Sequence, residues 1–367
     1  MVNKIEVFYS SKKVGTIAKY NNKYLFEYDS NWLNEGFSIS PFSLPLKKGV
    51  FTPKNMVFNG HFGVFDGSLP DSWGNLLMER FLKKRNISDY DGLYRLSLIG
   101  KSGMGALEYV PEKEKVNDDI LFDLDAFQLE SNNILNDNDS ESIDYLYKYG
   151  GSSGGARPKA MVMIDGSNWI IKFQSRFDIK DSGLCEYEYA KVCKIIGIDI
   201  PEVKLFKSKF NSGYFGIKRF DRVNGKKIHM ISAAALLEVD FNSPCLDYLD
   251  LFKLTKIVTR DNENDLKQLY LRMCFNFYSH NLDDHLKNFS YLYIESEKNY
   301  RLSPAYDMVY SNTYYGEHTT SINHKGKDIT IDDLVYVGVN SGLNKDYCIK
   351  EANNIEKIVK ENLGKYL

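Results

Sequence analysis

Between Asn281 and Asn288 the chain reads Asn-Leu-Asp-Asp-His-Leu-Lys-Asn, and no other stretch restricts its fold as much. Two neighbouring carboxylates, a histidine, a lysine and two asparagines fall within eight positions. Loops that carry chemistry are fixed by rigid elements around them, and the flanks here supply such elements. Upstream, Leu266, Leu269, Met273 and Phe277 recur on one face of a predicted helix over 264–278. Downstream, Tyr291-Leu292-Tyr293-Ile294, a polar turn over 295–299 and Tyr300-Arg301-Leu302 predict a β-hairpin. Antiparallel strands joined by a short turn return the chain beside its start, so Asp307 is expected close to Asn288.

A chain of 367 residues with 43% hydrophobic residues can build a substantial core, in two or three packed units rather than one. A formal net charge of -2 gives no global basic footprint, which argues against direct DNA binding by this chain alone. Cys185, Cys193, Cys245, Cys274 and Cys348 are odd in number and dispersed, as expected of reduced thiols rather than a disulfide framework or zinc site. The alternating start Met1 to Val7 has no signal-peptide pattern, and no apolar run reaches membrane-spanning length. The expectation is a soluble cytoplasmic protein with no membrane partner.

The first 110 residues read as a β-rich subdomain. Ile5, Val7 and Tyr9 alternate, and Asn21-Asn22 separates two further strands as a hairpin turn. From Asp71, placed to cap, Trp73, Leu76, Leu77 and Phe81 take helical spacing. Gly100-Lys101-Ser102 lacks the preceding glycine of a phosphate loop, since position 95 is Arg, and reads as a turn. Residues 111–145 are acidic and polar and read as a linker or boundary.

A second unit is expected over 146–220. It begins with Gly150-Gly151-Ser152-Ser153-Gly154-Gly155-Ala156-Arg157-Pro158-Lys159 and continues into two predicted strands, the second ending on Lys172-Phe173. Glycines allow backbone N–H groups to approach phosphate oxygens closely. A flexible Gly/Ser linker has the same composition, but Arg157 and Lys159 place positive charge where an anion would bind. Lys172 lies in an apolar strand and calls for an anionic partner, with Glu186 or Glu188 on the following helix as candidates. The strand Gly213 to Ile217 runs into Lys218-Arg219-Phe220-Asp221-Arg222, which is either the connection between two lobes or a plain core strand with a charged exit. Residues 221–367 read as mainly α-helical.

The spacing of Asp283 and Asn288 is the D-x-x-x-x-N of a kinase catalytic loop. There the aspartate receives or orients the substrate hydroxyl and the asparagine holds magnesium. Magnesium takes oxygen ligands, one or two from side chains and the rest from phosphates and water, which suits Asn288 and Asp307. His280 and His285 do not share a helical face and make no zinc motif, and no G-x-S-x-G is present. Asp284, with the wrong spacing to Asn288, is a loop-bracing or solvated carboxylate.

Read together, the sequence resembles the HipA-type serine/threonine kinases of bacterial toxin–antitoxin systems. The resemblance rests on Leu69-Pro70-Asp71-Ser72-Trp73-Gly74, Ile99-Gly100, Gly105-Ala106-Leu107, Gly154 to Lys159, Arg219-Phe220-Asp221-Arg222, Asp283 to Asn288 and Tyr306-Asp307. It implies an α+β, protein-kinase-like two-lobed fold of the PI-kinase-like HipA variety, with an amino-terminal β-rich subdomain. It also implies transfer of the γ-phosphoryl group of ATP, with Mg2+, to a protein serine or threonine, and an aminoacyl-tRNA synthetase as target. Asp283 takes the catalytic role and Asn288 and Asp307 the metal. Gly154, Gly155, Ala156, Arg157, Pro158 and Lys159 form the ATP loop, and Lys172 binds phosphate. Lys218, Arg219 and Phe220 are the adenine hinge, with His285, Leu286, Lys287, Asn288 and Tyr306 as further nucleotide contacts. Ser152 aligns with the autophosphorylated serine, and Ser153 beside it is the alternative acceptor. The implied partner is a HipB-like helix-turn-helix antitoxin, through which the chain would reach operator DNA. Lys218 departs from the acidic hinge of the best-known member, and His229-Met230-Ile231-Ser232 also differs from it. Rival readings are a small-molecule or lipid kinase, since D-x-H-x-x-N also suits phosphoinositide kinases, and a non-catalytic corepressor acting with the antitoxin.

Overall fold

The computed structural model describes residues 2–113, 121–138, 141–175, 178, 181–240, 246–313 and 315–367, so Cys245 lies outside the described residues. The chain gathers into two compact units. One comprises Met1–Leu184, Lys204–Ile231 and Ala235–Glu238; the other comprises Cys185–Val203, Ser232–Ala234 and Val239–Leu367.

The first unit contains a five-stranded and a four-stranded sheet, besides a two-stranded ribbon of Arg222–Val223 with Lys226–Lys227. Strands β1 (Lys4–Tyr9), β2 (Lys12–Tyr20), β3 (Lys23–Tyr28), β4 (Val50–Phe51) and β5 (Leu107–Val110) lie in the order β4-β3-β2-β1-β5. The expected alternation is present: Ile5, Val7 and Phe26 are fully buried, and the residues between them face outward or sit half-buried. Asn21 and Asn22 both take positive φ, +47° and +58°, as a two-residue hairpin turn of the I′ kind requires. Helix α1 (Ser72–Lys84) buries Trp73, Leu77, Met78 and Phe81 along one face. The second sheet has β6 (Lys159–Ile164), β7 (Ser167–Lys172), β8 (Val203–Phe206) and β9 (Tyr214–Lys218) in the order β6-β7-β9-β8.

Residues 111–145, read from composition as a linker, contain a helix, α2 (Leu124–Leu135), and the start of α3 (Ile143–Gly150). Asp123 caps α2 by accepting from the Ala126 amide, and Phe127 and Ile134 are buried. Its acidic residues lie off that inner face, which is why composition alone concealed an amphipathic helix. Positions 114–120 and 139–140 lie outside the described residues.

The second unit is mainly helical. It holds α4 (Ser182–Ile196, of which Cys185 onward belongs here), α5 (Tyr248–Thr259), α6 (Glu263–Tyr278), α7 (Ile331–Asn340) and α8 (Lys345–Leu363). Asn262 caps α6 through the Asp265 amide, and Leu266, Leu269 and Met273 are buried along the predicted face. The hairpin after the polar loop is β10 (Ser290–Ile294) and β11 (Asn299–Leu302), paired Tyr291 with Leu302 through Ile294 with Asn299. The four described cysteines are buried, and none of them is in a disulfide among the described residues.

Candidate functional site

The glycine-rich stretch leaves α3 and enters β6, and each of its turns is fastened. Ser153 Oγ donates to the Gly150 carbonyl at 2.6 Å, closing the end of α3, and Ser152 Oγ donates to the Ser102 carbonyl at 3.3 Å. Gly155, at φ +84°, occupies backbone space that favours glycine. Its amide donates to Asp71 Oδ2 at 3.0 Å, and its carbonyl accepts from the Trp73 amide at 3.2 Å. A Cβ on Gly155 would also lie 2.6 Å from Lys159 Nζ, so the glycine admits that ammonium beside the loop. Arg157 pairs with Asp178 at 2.9 Å, and the Pro158 carbonyl accepts from the Phe173 amide. Across the β6–β7 ladder Lys159 stands opposite Lys172, which concentrates positive charge where the loop meets the sheet. The Lys172 ammonium also lies 5.7 Å from the centre of the Phe215 ring.

The segment expected as a hinge has a structural task in its charged side chains. Arg219 donates to both carboxylate oxygens of Asp221, at 2.9 and 2.8 Å, and to the Gly103 carbonyl. Arg222 donates to Asp221 Oδ2 and to the Gly103 and Gly105 carbonyls, while the Gly105 amide donates to Asp221 at 2.7 Å. Asp221 is fully buried; burial pushes its carboxyl upward, but Arg219, then Arg222 and the Gly105 amide, outweigh it and hold it below the ordinary range. Burial also pulls Arg222 down to about 10, against the attraction of Asp221. The Arg219 guanidinium is therefore engaged in the fold, while Lys218 and Phe220 remain half-buried. The same cluster explains Gly105, at φ +71° and against Met230, in the motif Gly105-Ala106-Leu107.

In the second unit, Asp283 and Asp284 have opposite environments despite being neighbours. The Asp283 side chain is 52% exposed. Asp284 is 1% exposed and accepts from Tyr248 Oη at 3.0 Å, from His318 Nδ1 at 2.9 Å and from the Thr320 amide at 3.1 Å. The backbone on both sides of Asp283 is clamped by the same segment. The Leu282 carbonyl accepts from the Thr319 amide, and the Asp284 carbonyl accepts from Thr320 Oγ1 at 2.6 Å. The Leu282 amide in turn donates to the Ser311 carbonyl. Asn276 extends the network, donating to Tyr248 Oη and accepting from Asn281 Nδ2. Of the two sequence readings for Asp284, the structure gives the brace.

Asn288 ends a short 3-10 turn, Leu286–Asn288, and its Nδ2 donates to the Asp283 carbonyl at 2.9 Å, which assigns Oδ1 as its ligand-capable atom. His285 Nε2 lies 3.9 Å from Asp283 Oδ1. Leu286 is buried in the core. Tyr306 Oη donates to the Lys287 carbonyl at 2.6 Å and lies equally near Ser290 Oγ, so the chain after the hairpin does return to the loop. Asn281 Nδ2 reaches the Asp307 carbonyl, and Asp307 adopts φ +54°, outside ordinary strand or helix backbone. Behind this segment, Arg272 is 2% exposed and donates to the Ser303 carbonyl. Burial lowers its pKa to about 10, against the pull of Asp199. Its Nε and Nη1 find no hydrogen-bond partner among the described residues. Glu188, one of two candidates to pair with Lys172, is taken by Lys365 at 2.6 Å and Tyr366 at 2.7 Å, whereas Glu186 is buried.

Sequence reasoning found the loop and the hairpin but not Tyr248, His318, Thr319 or Thr320. A lone histidine and a Thr-Thr pair carry no local signal; only the tertiary path brings them to Asp284. Among the described residues no cluster of three or more histidine, cysteine or acidic side chains could hold a metal. An oxygen set of one asparagine and one aspartate falls outside such a cluster and suits magnesium, which completes its shell with phosphate and water.

Comparison with known proteins agrees with this architecture. The family model for the HipA-like C-terminal domain matches residues 151–363, and that for the HipA N-terminal domain matches residues 5–110. The chain belongs to the HipA family. A putative kinase of Sinorhizobium fredii is 28% identical over 207 residues, covering 51% of this chain and 49% of that protein. The match thus spans about half the length of that relative. A putative kinase of Haemophilus influenzae is 27% identical over 252 residues, covering 58% of this chain and 73% of that protein. The solved structure of the Shewanella oneidensis HipA, HipB and operator DNA complex contains a chain that superposes with a TM-score of 0.75 at 16% identity. The match covers 98% of this chain and 90% of that one. The fold is therefore the α+β, kinase-like fold of HipA. Among the described residues no helix is long and apolar enough to cross a membrane.

Proposed function

We propose that this chain is an ATP-dependent serine/threonine protein kinase that transfers the γ-phosphoryl group to a protein, in the manner of a HipA toxin. The observation that carries the reading is the contrast between Asp283 and Asp284. One carboxylate is presented to solvent by backbone clamped on both sides, and the other is used up in doing the clamping. A carboxylate carried on a backbone held this way can orient an attacking hydroxyl and receive its proton, with little backbone motion to freeze as the reaction proceeds.

Phosphoryl transfer depends on positioning and on neutralising phosphate charge. The glycine-rich loop with Arg157, Lys159 and Lys172 supplies donors and positive charge for the phosphates, and the backbone of Lys218 to Phe220 is suited to meet the base. Asn288 Oδ1 and the Asp307 carboxylate are the oxygens that would hold Mg2+, which when bound neutralises charge on the phosphates. Names of relatives as putative kinases support the class of reaction. The solved relative's assembly with HipB and operator DNA supports a HipB-like helix-turn-helix antitoxin as partner, and a cytoplasmic location is proposed with it. An aminoacyl-tRNA synthetase is the target proposed from the family resemblance. Ser152, with its hydroxyl on the Ser102 carbonyl and 9% exposed, is the proposed autophosphorylation site over Ser153, which is 2% exposed.

Phosphoproteomics after brief expression tests the proposal. The wild type should add phosphate to serine or threonine of a small set of host proteins, and Asp283→Asn should not. Identical phosphoproteomes would reject a protein kinase, and labelled metabolites or lipids in their place would favour the small-molecule reading.

A further inference from the structure

We propose that Asp71 is a positioning residue for the glycine-rich loop and sets the affinity of that loop for nucleotide. The inference rests on the nucleotide role proposed above. An aspartate before the first turn of a helix ordinarily accepts from the amide two or three residues on. Asp71 occupies that position before α1, yet its side chain makes no such cap. Its Oδ2 accepts instead from the Gly155 amide, at 3.0 Å. The helix is not left without an acceptor, because the Trp73 amide donates to the Gly155 carbonyl at 3.2 Å. The loop caps the helix, and the helix's capping residue holds the loop.

Two glycines show that this clasp is a close backbone approach. A Cβ on Gly74 would fall 2.5 Å from the Ser153 carbonyl oxygen, and one on Gly154 would fall 3.2 Å from Asp71 Oδ2. The stretch Gly150 to Gly155, with four glycines in six residues, has high conformational entropy when free, which opposes ordering around a phosphate. Holding it at its centre before nucleotide arrives removes part of that opposition, the usual benefit of preorganisation. Because the Gly151, Ser153 and Gly155 amides donate to the Tyr147 carbonyl, the Gly150 carbonyl and Asp71, the amides of Ser152, Gly154, Ala156 and Arg157 are the ones proposed to face phosphate. The motif Leu69 to Gly74, which belongs to the N-terminal family match, thereby gains a task in the nucleotide site.

The test compares Asp71→Ala, Asp71→Asn and Gly74→Ala with the wild-type chain by amide hydrogen exchange and by the KM for ATP in phosphoryl transfer. Asp71→Ala should speed exchange over 151–157 while α1 keeps its protection. It should raise KM about tenfold with kcat nearly unchanged, the scale of one lost hydrogen bond to a charged acceptor. Asp71→Asn, whose Oδ1 still accepts, should stay close to wild type. Gly74→Ala, which favours helix by propensity, should weaken nucleotide binding by pushing on Ser153. Unchanged loop exchange or unchanged KM in Asp71→Ala would overturn the proposal. Loss of protection along the whole of 72–84 would do so as well, since Asp71 would then be a helix anchor. A wild type that transfers no phosphate would reject the kinase reading, and the exchange comparison would still decide the clasp.

Discussion

Replacing Asp284 by alanine should destabilise the protein more than any change to its neighbour Asp283. The carboxylate is 1% exposed and serves three donors: Tyr248 Oη, His318 Nδ1 and the Thr320 amide. Truncation leaves all three without their acceptor in a site water reaches poorly, and a buried donor deprived of its partner costs about 1–3 kcal/mol. Since the three share one network, the losses are not additive, and the total should be about 3–5 kcal/mol, the range found when one member of a buried polar pair is removed. For a unit of this size that corresponds to a fall in Tm of about 10 °C. Differential scanning calorimetry on the whole chain measures it, with the second unit's transition as the one displaced. Asp284→Asn, which keeps one acceptor oxygen, should lose less than half as much. Asp283→Asn should leave Tm within about 1 °C, because an exposed carboxylate away from such a network contributes little. An Asp284→Ala protein that melts with the wild type would refute the brace, and with it the reason given for the fixed geometry of Asp283.

Two further outcomes follow from buried charge. Asp221→Ala should cost about 3–5 kcal/mol by leaving Arg219 and Arg222 buried without their shared carboxylate, read as a lower transition in the first unit. Asp265, 6% exposed, has its pKa raised to about 6 by burial, with a Leu302 backbone hydrogen bond and Arg301 opposing the rise. Its folded value lies above its unfolded one, so the native state binds the extra proton between about pH 4 and 6 and stability falls as pH rises through that window. Asp265→Asn should therefore be more stable than wild type at pH 7, by about 3 kcal/mol at most, and the advantage should vanish by pH 4 in paired denaturation curves.

What could be read from the residues alone was whatever depends on neighbours in sequence. The helix before the loop follows from Leu266, Leu269 and Met273, and the hairpin after it from alternating aromatic residues and a polar turn. Asn21-Asn22 gave its turn because asparagine tolerates positive φ. The rest depends on partners distant in the chain. Asp71 looked like a helix cap because capping is a local rule, and its real acceptor role needs Gly155, which follows it by 84 positions. Arg219 looked available to a nucleotide until Asp221 and the Gly103 carbonyl were seen to hold it. The helix Leu124–Leu135 hid behind acidic composition, although Phe127 and Ile134 already had helical spacing. Glu186 and Glu188 could not be separated by pattern, and only the C-terminal Lys365 and Tyr366 distinguish them.

The central claim is that Asp283, presented by its braced loop, receives or orients the hydroxyl in phosphoryl transfer. Its most direct test is a single-turnover assay with purified protein, γ-labelled ATP and magnesium, following label on the chain itself and on added lysate protein. The wild type should transfer phosphate, and Asp283→Asn should do so at a rate at least about a hundredfold lower, the scale of a lost general base, with folding unchanged. Equal rates in the two proteins would contradict it.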